Sequence, residues 1–97
     1  MLDPNLLPRE PDPARDAELA AGLDWVDRRP YYENRNNFPP EILERYKGQT
    51  IAWWPDASHI FAVGPDMLTL SASLEARGFN SDLFIYEDIP EVEMGYV

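Results

Sequence analysis

Apolar side chains are most concentrated between residues 51 and 63, in two short runs that flank a break at residues 55–58. Such runs around a proline-containing break predict two antiparallel strands joined by a tight turn. Trp53 and Trp54 are adjacent and therefore point to opposite sides of the first strand. Regular alternation predicts two faces for the second strand, with Ile60 and Ala62 on one and Phe61 and Val63 on the other. Both faces of this hairpin are apolar, so we expect both to be covered.

A helix is predicted over residues 66–77, because Leu70 and Leu74 share one helical face. Gly78 follows as the residue expected to adopt a left-handed conformation after the helix. An apolar stretch over residues 83–89, ended by proline, predicts a third strand. A strand that returns across this helix is expected to run parallel to the second strand, as its partner.

The chain before the hairpin shows two further helical patterns. Asp12 is a good N-cap for a helix that extends towards Pro30, and residues 38–47 predict a short helix that Gly48 closes. The first of these helices presents an apolar stripe, made of Leu19, Leu23 and Val26. Residues 31–37, which include three Asn, are predicted to form a polar loop between the two helices.

Together these elements predict an α+β fold with a small three-stranded sheet, a hairpin plus one strand. The main helix is expected on one face, and the N-terminal helix on the other face or on a partner. We predict a boundary after residue 36, separating a proline-rich arm and amphipathic helix (1–36) from an α+β domain with an acidic C-terminal tail (37–97).

Composition and charge restrict the classes of function. A chain of 97 residues forms one domain at most, and its formal net charge of −10 argues against nucleic acid and anionic membranes as partners. The chain has no cysteine, which excludes disulfides and thiolate chemistry. Because it also lacks a signal-peptide pattern or an apolar stretch of membrane-spanning length, we expect a soluble cytoplasmic protein.

Catalytic chemistry has little support in the pattern. His59 is the only histidine, and the nearby Asp56 and Ser58 supply the other two residue types of a Ser-His-Asp triad. The preference of Asp and Ser for turns accounts for both of these neighbours without catalysis. We therefore predict no enzyme and no catalytic, cofactor or metal residues. A deep pocket that joins His59 to distant acids such as Glu87 would instead favour an enzyme. The C-terminal acids are interpreted as a solvated tail: Glu87, Asp88, Glu91 and Glu93.

Large apolar residues exceed what one small helix can cover, and this excess predicts an interaction surface. Aromatic side chains are enriched at the energetic centres of protein interfaces. The predicted partner-binding residues come from the arm, the N-terminal helix, the loop that follows it and the hairpin: Leu6, Leu7, Trp25, Tyr31, Tyr32, Trp53 and Trp54.

The order of helix ends, glycines and strands also resembles a small prokaryotic domain family of unknown function. The resemblance covers about residues 41–90 and is carried by Leu43, Tyr46, Gly48, Ile51-Ala52, Gly64, Leu70, Leu74, Gly78 and Ile89-Pro90. These positions are glycines and core residues for the most part, so the resemblance implies a fold and brings no catalytic residues.

Three hypotheses for function follow. The leading one is a non-catalytic protein-interaction module that binds a protein partner, or a second copy, through the arm and the hairpin aromatics. The alternative is a small-molecule or peptide binding domain that uses the region of Trp53 and Trp54. A third hypothesis, which rests on net charge alone, is an acidic inhibitor or antitoxin of a basic enzyme.

Overall fold

The computed structural model describes residues 3–91 and has the predicted α+β fold. Its helices and strands are α1 (Pro13–Gly22), α2 (Tyr31–Asn37), α3 (Pro40–Leu43), β1 (Thr50–Trp53), β2 (Ile60–Gly64), α4 (Met67–Ala76) and β3 (Ile85–Asp88). Short 3₁₀ turns occupy Pro4–Leu6, Leu23–Trp25, Glu44–Tyr46 and Ser81–Leu83. Most of the predicted acidic tail, residues 92–97, lies outside the described residues.

The three strands form one sheet in the order β2-β1-β3, and each outer strand is antiparallel to β1. β3 therefore runs parallel to β2, as predicted, but β1 lies between them and pairs with both. The expectation that the third strand pairs with the second is wrong. β1 is buried at every position, whereas β2 and β3 are only partly covered, as expected for a strand that has a neighbour on each side.

A β-bulge interrupts the pairing of β1 with β2. Ala52 faces Ala62 and Trp53 faces Ile60, which leaves Phe61 as an extra residue on β2. Phe61 and Ala62 consequently both pack on the side of α4, and the predicted regular alternation along this strand is wrong. The bulge therefore places the aromatic ring of Phe61 on the sheet face that α4 covers.

The sheet face that carries α4 also receives the N-terminal helix. Leu70 and Leu74 of α4 pack there with Leu23, which follows α1 directly and is 1% exposed. The expectation that the N-terminal helix covers the opposite face is therefore wrong. We call this group the first cluster, and its buried members are Leu23, Ala52, Phe61, Ala62, Leu70, Leu74, Phe79 and Phe84.

The opposite face is covered by the arm, α2 and α3 together. Leu6 and Leu7 of the arm and Tyr31 of α2 are partly buried against this second cluster. Its buried members are Phe38, Ile42, Ile51, Trp53, Ala57, Ile60 and Ile89. Residues from both sides of the predicted boundary after residue 36 thus contribute to both clusters.

Two N-terminal elements differ from their predicted form. Asp12 caps α1 as expected, by accepting bonds from the N–H groups of Ala14 and Arg15, but the helix ends at Gly22, well before Pro30. Residues 31–37, predicted as a loop, form α2. Their low helix propensity is overcome by tertiary contacts at helical spacing, because Tyr31, Asn34 and Arg35 all bind other parts of the chain.

A buried ion pair fastens α1 to the end of α4. The guanidinium of Arg77 donates to both carboxylate oxygens of Asp16, from Nε at 2.9 Å and from Nη2 at 3.0 Å. The Asp16 residue is 3% exposed, and its hydrogen bonds from Arg77 lower its pKa despite the opposing effect of burial. Arg77 also lies over the rings of Phe61 and Phe79.

Gly48 and Gly78 have φ angles of 79° and 93°, as predicted for residues that follow helices. We expect Gly78→Ala to lower the free energy of unfolding by about 1 kcal/mol, because a left-handed conformation is strained for alanine. Gly48→Ala is expected to lower it further, since an added methyl would approach Glu91 Cγ to 2.7 Å. Denaturant unfolding measures both. Gly22→Ala is the control, because its φ is −95° and no atom lies within 4 Å; equal effects at Gly22 and Gly78 would contradict the assignment.

We expect Asp16→Asn to destabilise the protein by about 3 kcal/mol, because it leaves the Arg77 charge in a buried site without a counter-charge. Since the pKa of Asp16 is lowered in the folded state, its contribution is complete above the unfolded pKa of about 3.9 and is lost as the pH falls through the folded value. Asp27→Asn removes the same charge from the exposed pair with Arg29 and is expected to change stability little. Equal effects of the two substitutions would refute the stabilising role of the buried pair.

Candidate functional site

Trp53 is the predicted partner-binding residue that the structure places deepest in the core. Its side chain is 0% exposed and packs edge-on against Phe38, with ring centroids 4.7 Å apart. The indole Nε1–H donates to Glu87 Oε1 at 3.0 Å, and Arg35 binds both oxygens of the same carboxylate. Trp53 therefore offers no surface to a partner, and its prediction as a binding residue is wrong.

Glu87 also differs from its prediction as part of a solvated tail. Its carboxylate lies in β3, where hydrogen bonds from Arg35 and Trp53 and the positive charge of Arg35 lower its pKa against the effect of burial. This network ties α2 to the outer strand. It is explained by the need to satisfy the indole N–H of a fully buried tryptophan.

Trp54 is half-buried at the margin of the first cluster. Its ring is stacked on His59, with centroids 5.6 Å apart, and also contacts Phe61 and Phe84. The neighbouring aromatic side chains of its own chain thus cover much of it. Leu6, Leu7 and Tyr31 are likewise partly buried within the chain, against the second cluster.

Trp25 and Tyr32 behave differently from the other predicted residues. Their exposed fractions are 85% and 79%, although each lies next to a residue that packs into the fold. Among the described residues, the other large hydrophobic side chains with high exposure are Met67, Leu68 and Ile85. Trp25 and Tyr32 are therefore the predicted partner-binding residues that remain accessible.

His59 lies directly before β2, at the end of the hairpin turn. The turn is closed by a bond from Ala57 N–H to the Trp54 carbonyl, and Ala57 adopts a φ of 59° that is uncommon for a residue with a side chain. Asp56 accepts a bond from the N–H of Ser58, so its carboxylate stabilises the turn, as predicted. Ser58 Oγ lies 2.9 Å from His59 Nδ1.

A cleft of about 230 Å³ opens beside His59, between the arm, α1 and the start of β2. We call it the arm cleft. Leu7, Leu19 and Phe61 form apolar parts of its wall, and Arg9 and Arg15 form its charged part. Among the residues that the structure describes, no acidic side chain lines this cleft. The condition that would favour an enzyme, a pocket joining His59 to distant acids, is not met here.

The two arginines of the arm cleft were not among the predicted site residues. Arg9 Nη2–H donates to Asn5 Oδ1 at 3.1 Å, and Arg15 Nη2–H donates to the carbonyl of Glu10 at 2.6 Å. Both bonds are local and hold the guanidinium groups near the arm. No local sequence pattern indicates the site, because the arm reaches β2 only through the tertiary packing of Leu6 and Leu7.

Within residues 3–91, no group of three or more His, Asp or Glu side chains is placed to hold a metal ion. In the same part of the chain, every helix is too short or too polar to cross a membrane.

Comparisons of the chain with protein-family models, curated proteins and solved structures find no match. The resemblance to a small prokaryotic domain family stays a prediction.

We expect His59 to titrate below the usual histidine pKa of about 6.5. Burial lowers its pKa, the charge of Arg9 acts in the same direction, and Asp56 opposes them. Because the unfolded chain takes up this proton first as the pH falls, folding stability should decrease below pH 6.5 or so. The chain has one histidine, so a proton NMR titration follows it without ambiguity. A midpoint at or above 6.5 would be incompatible with the half-buried, neutral ring.

Proposed function

We propose that this protein is a non-catalytic protein-interaction module that binds its partner through Trp25 and Tyr32. The observation that carries the proposal is the high exposure of both aromatic side chains, 85% and 79%, on backbone that packing holds in place. Burial of a large aromatic side chain by a partner lowers the free energy of the system, and this favours binding.

The backbone around Trp25 is anchored on both sides. Leu23 is buried in the first cluster, and Val26 packs against the same cluster. Arg28 then donates from Nη2 to the carbonyl of Leu83 at 3.2 Å, which ties this segment to the chain before β3. Trp25 is therefore directed into solvent by a short turn whose neighbours are fixed.

The backbone around Tyr32 is anchored in the same manner. Tyr31 packs against the second cluster and contacts Tyr32 edge-on, with ring centroids 5.3 Å apart. One helical turn further on, Asn34 donates to the carbonyl of Asp56 at 2.9 Å, and Arg35 binds Glu87. The inner face of α2 is thus held against the hairpin and β3, and Tyr32 lies outside that face.

Exposed aromatic side chains on anchored backbone are favourable anchors for binding. Little conformational entropy remains to be lost when a tryptophan or tyrosine on ordered backbone is buried by a partner. Such residues supply a large share of the binding free energy at many interfaces. Trp25 and Tyr32 fit this role better than Trp53 and Trp54, which the fold uses for its own packing.

Charge indicates the kind of partner. With 18 acidic and 8 basic side chains, the protein carries a formal charge of −10. A negative net charge of this magnitude accelerates association with a positively charged partner and slows association with an acidic one. We therefore expect a partner with a basic surface and an association rate that falls as salt is added.

The proposal predicts that a photo-reactive phenylalanine analogue at position 25 or 32 forms an adduct with the same protein in a native lysate. The same analogue at position 68 is the matched control, because Leu68 is also 82% exposed. We expect the control to give no such adduct, since Leu68 lies at the start of α4, outside the proposed contact.

Binding to the purified partner is then measured for Trp25→Ala, Tyr32→Ala and Leu68→Ala. We expect the first two to weaken binding tenfold or more, which corresponds to about 1.4 kcal/mol, while Leu68→Ala stays close to the original protein. All three variants should fold normally because these side chains are exposed. Unchanged affinity after Trp25→Ala and Tyr32→Ala, or an equal loss after Leu68→Ala, would refute the proposal.

A further inference from the structure

The arm cleft concentrates positive charge in a strongly acidic protein. The chain has 18 acidic side chains, yet among residues 3–91 the cleft is lined by Arg9, Arg15 and His59 and by no acid. We propose that the arm cleft binds a small organic acid, with its carboxylate between these side chains and its apolar body against Leu19 and Phe61. This site is independent of the proposed partner contact at Trp25 and Tyr32.

Within residues 3–91, the two arginines differ from most of the other basic residues in lacking a carboxylate partner. Among the described residues, neither Arg9 nor Arg15 has a carboxylate oxygen within 4.0 Å. Four other basic residues do form such ion pairs: Arg29, Arg35, Lys47 and Arg77. Each cleft guanidinium donates one local hydrogen bond, from Arg9 to Asn5 Oδ1 and from Arg15 to the carbonyl of Glu10. The other N–H groups of each guanidinium can bind a carboxylate.

His59 is positioned to contribute a third contact. Ser58 occupies the Nδ1 side of the ring, and Trp54 stacks on its face, so Nε2 is the nitrogen that can meet a ligand. When Ser58 donates to Nδ1, the neutral ring carries its proton on Nε2 and donates to an anion. A carboxylate there would also stabilise the imidazolium form and raise the pKa of His59.

The apolar wall determines which anion fits. Leu7, Leu19, Ile60 and Phe61 line the same cleft, and they would gain nothing from a bare phosphate ion. A carboxylate attached to a ring or a short chain satisfies the charged and the apolar parts together. The volume, about 230 Å³, is just below the usual range of ligand sites, so the body of the acid must be small.

The pH dependence of binding follows from the groups that face His59. Arg9, from the arm, disfavours the charged ring, and Asp56, from the turn, favours it, while Trp54 and Phe61 contribute uncharged ring surfaces. A bound carboxylate adds negative charge and shifts the balance towards the imidazolium. Affinity should therefore rise as the pH is lowered through the pKa of His59 in the complex.

The test is an NMR titration of the full chain with phenylacetate, following the resonances of the single histidine. We expect saturable shifts up to about 10 mM ligand and a higher pKa of His59 in the complex. Benzyl alcohol lacks the charge, and inorganic phosphate lacks the apolar body, so both should bind at least tenfold more weakly. Equal binding of either compound, or no shift with phenylacetate, would overturn the proposal.

Variants locate the site. Arg9→Gln and Arg15→Gln should each weaken phenylacetate binding about tenfold, the loss expected for one charge-assisted hydrogen bond. Arg45→Gln removes the same charge from an exposed residue outside the cleft lining and should leave affinity unchanged. A similar loss in all three variants would mean general charge attraction and would also overturn the proposal. Arg9 is exposed, so its replacement leaves folding intact and the result interpretable.

Discussion

The rest of the structure depends on burying β1 on both of its faces. All four of its residues are buried, and each face needs cover from a different part of the chain. The first cluster uses α4 with the segment around Leu23, and the second uses the arm, α2 and α3. An apolar face left in contact with water would lose the free energy that burial supplies, so cover on both faces stabilises this small sheet. The residues before the hairpin thus contribute side chains to the core.

Two bidentate ion pairs hold these covering segments in register. Asp16–Arg77 joins α1 to the end of α4, and Arg35–Glu87 joins α2 to β3 while satisfying the indole N–H of Trp53. Each pair lies beside aromatic rings, where access of water is reduced. Because charged groups in such places need specific partners, the pairs favour one arrangement of the N-terminal segments over alternatives.

The two proposed functional surfaces are consequences of this arrangement. Anchoring Leu23 and Tyr31 in the two clusters leaves their neighbours Trp25 and Tyr32 in solvent. Packing Leu6 and Leu7 against the hairpin brings Arg9 to His59, 50 positions away in the chain, and encloses the arm cleft. The arm therefore has a structural role through its leucines, and its Arg9 contributes positive charge to the cleft together with Arg15 of α1.

Local patterns in the sequence determined the elements whose causes are local. The hairpin, α4, the Asp12 cap and the left-handed Gly48 and Gly78 all follow from spacing, turn chemistry and capping within a few residues. Tertiary packing decided everything that needs a distant partner: the order of the strands, the bulge at Phe61, the helical form of residues 31–37 and the division between buried Trp53 and exposed Trp25. The arm cleft belongs to this second group, since Arg9, Arg15 and His59 lie on three separate segments. Side-chain type limits what each residue can do, but burial and charge pairing depend on neighbours that only the folded chain supplies.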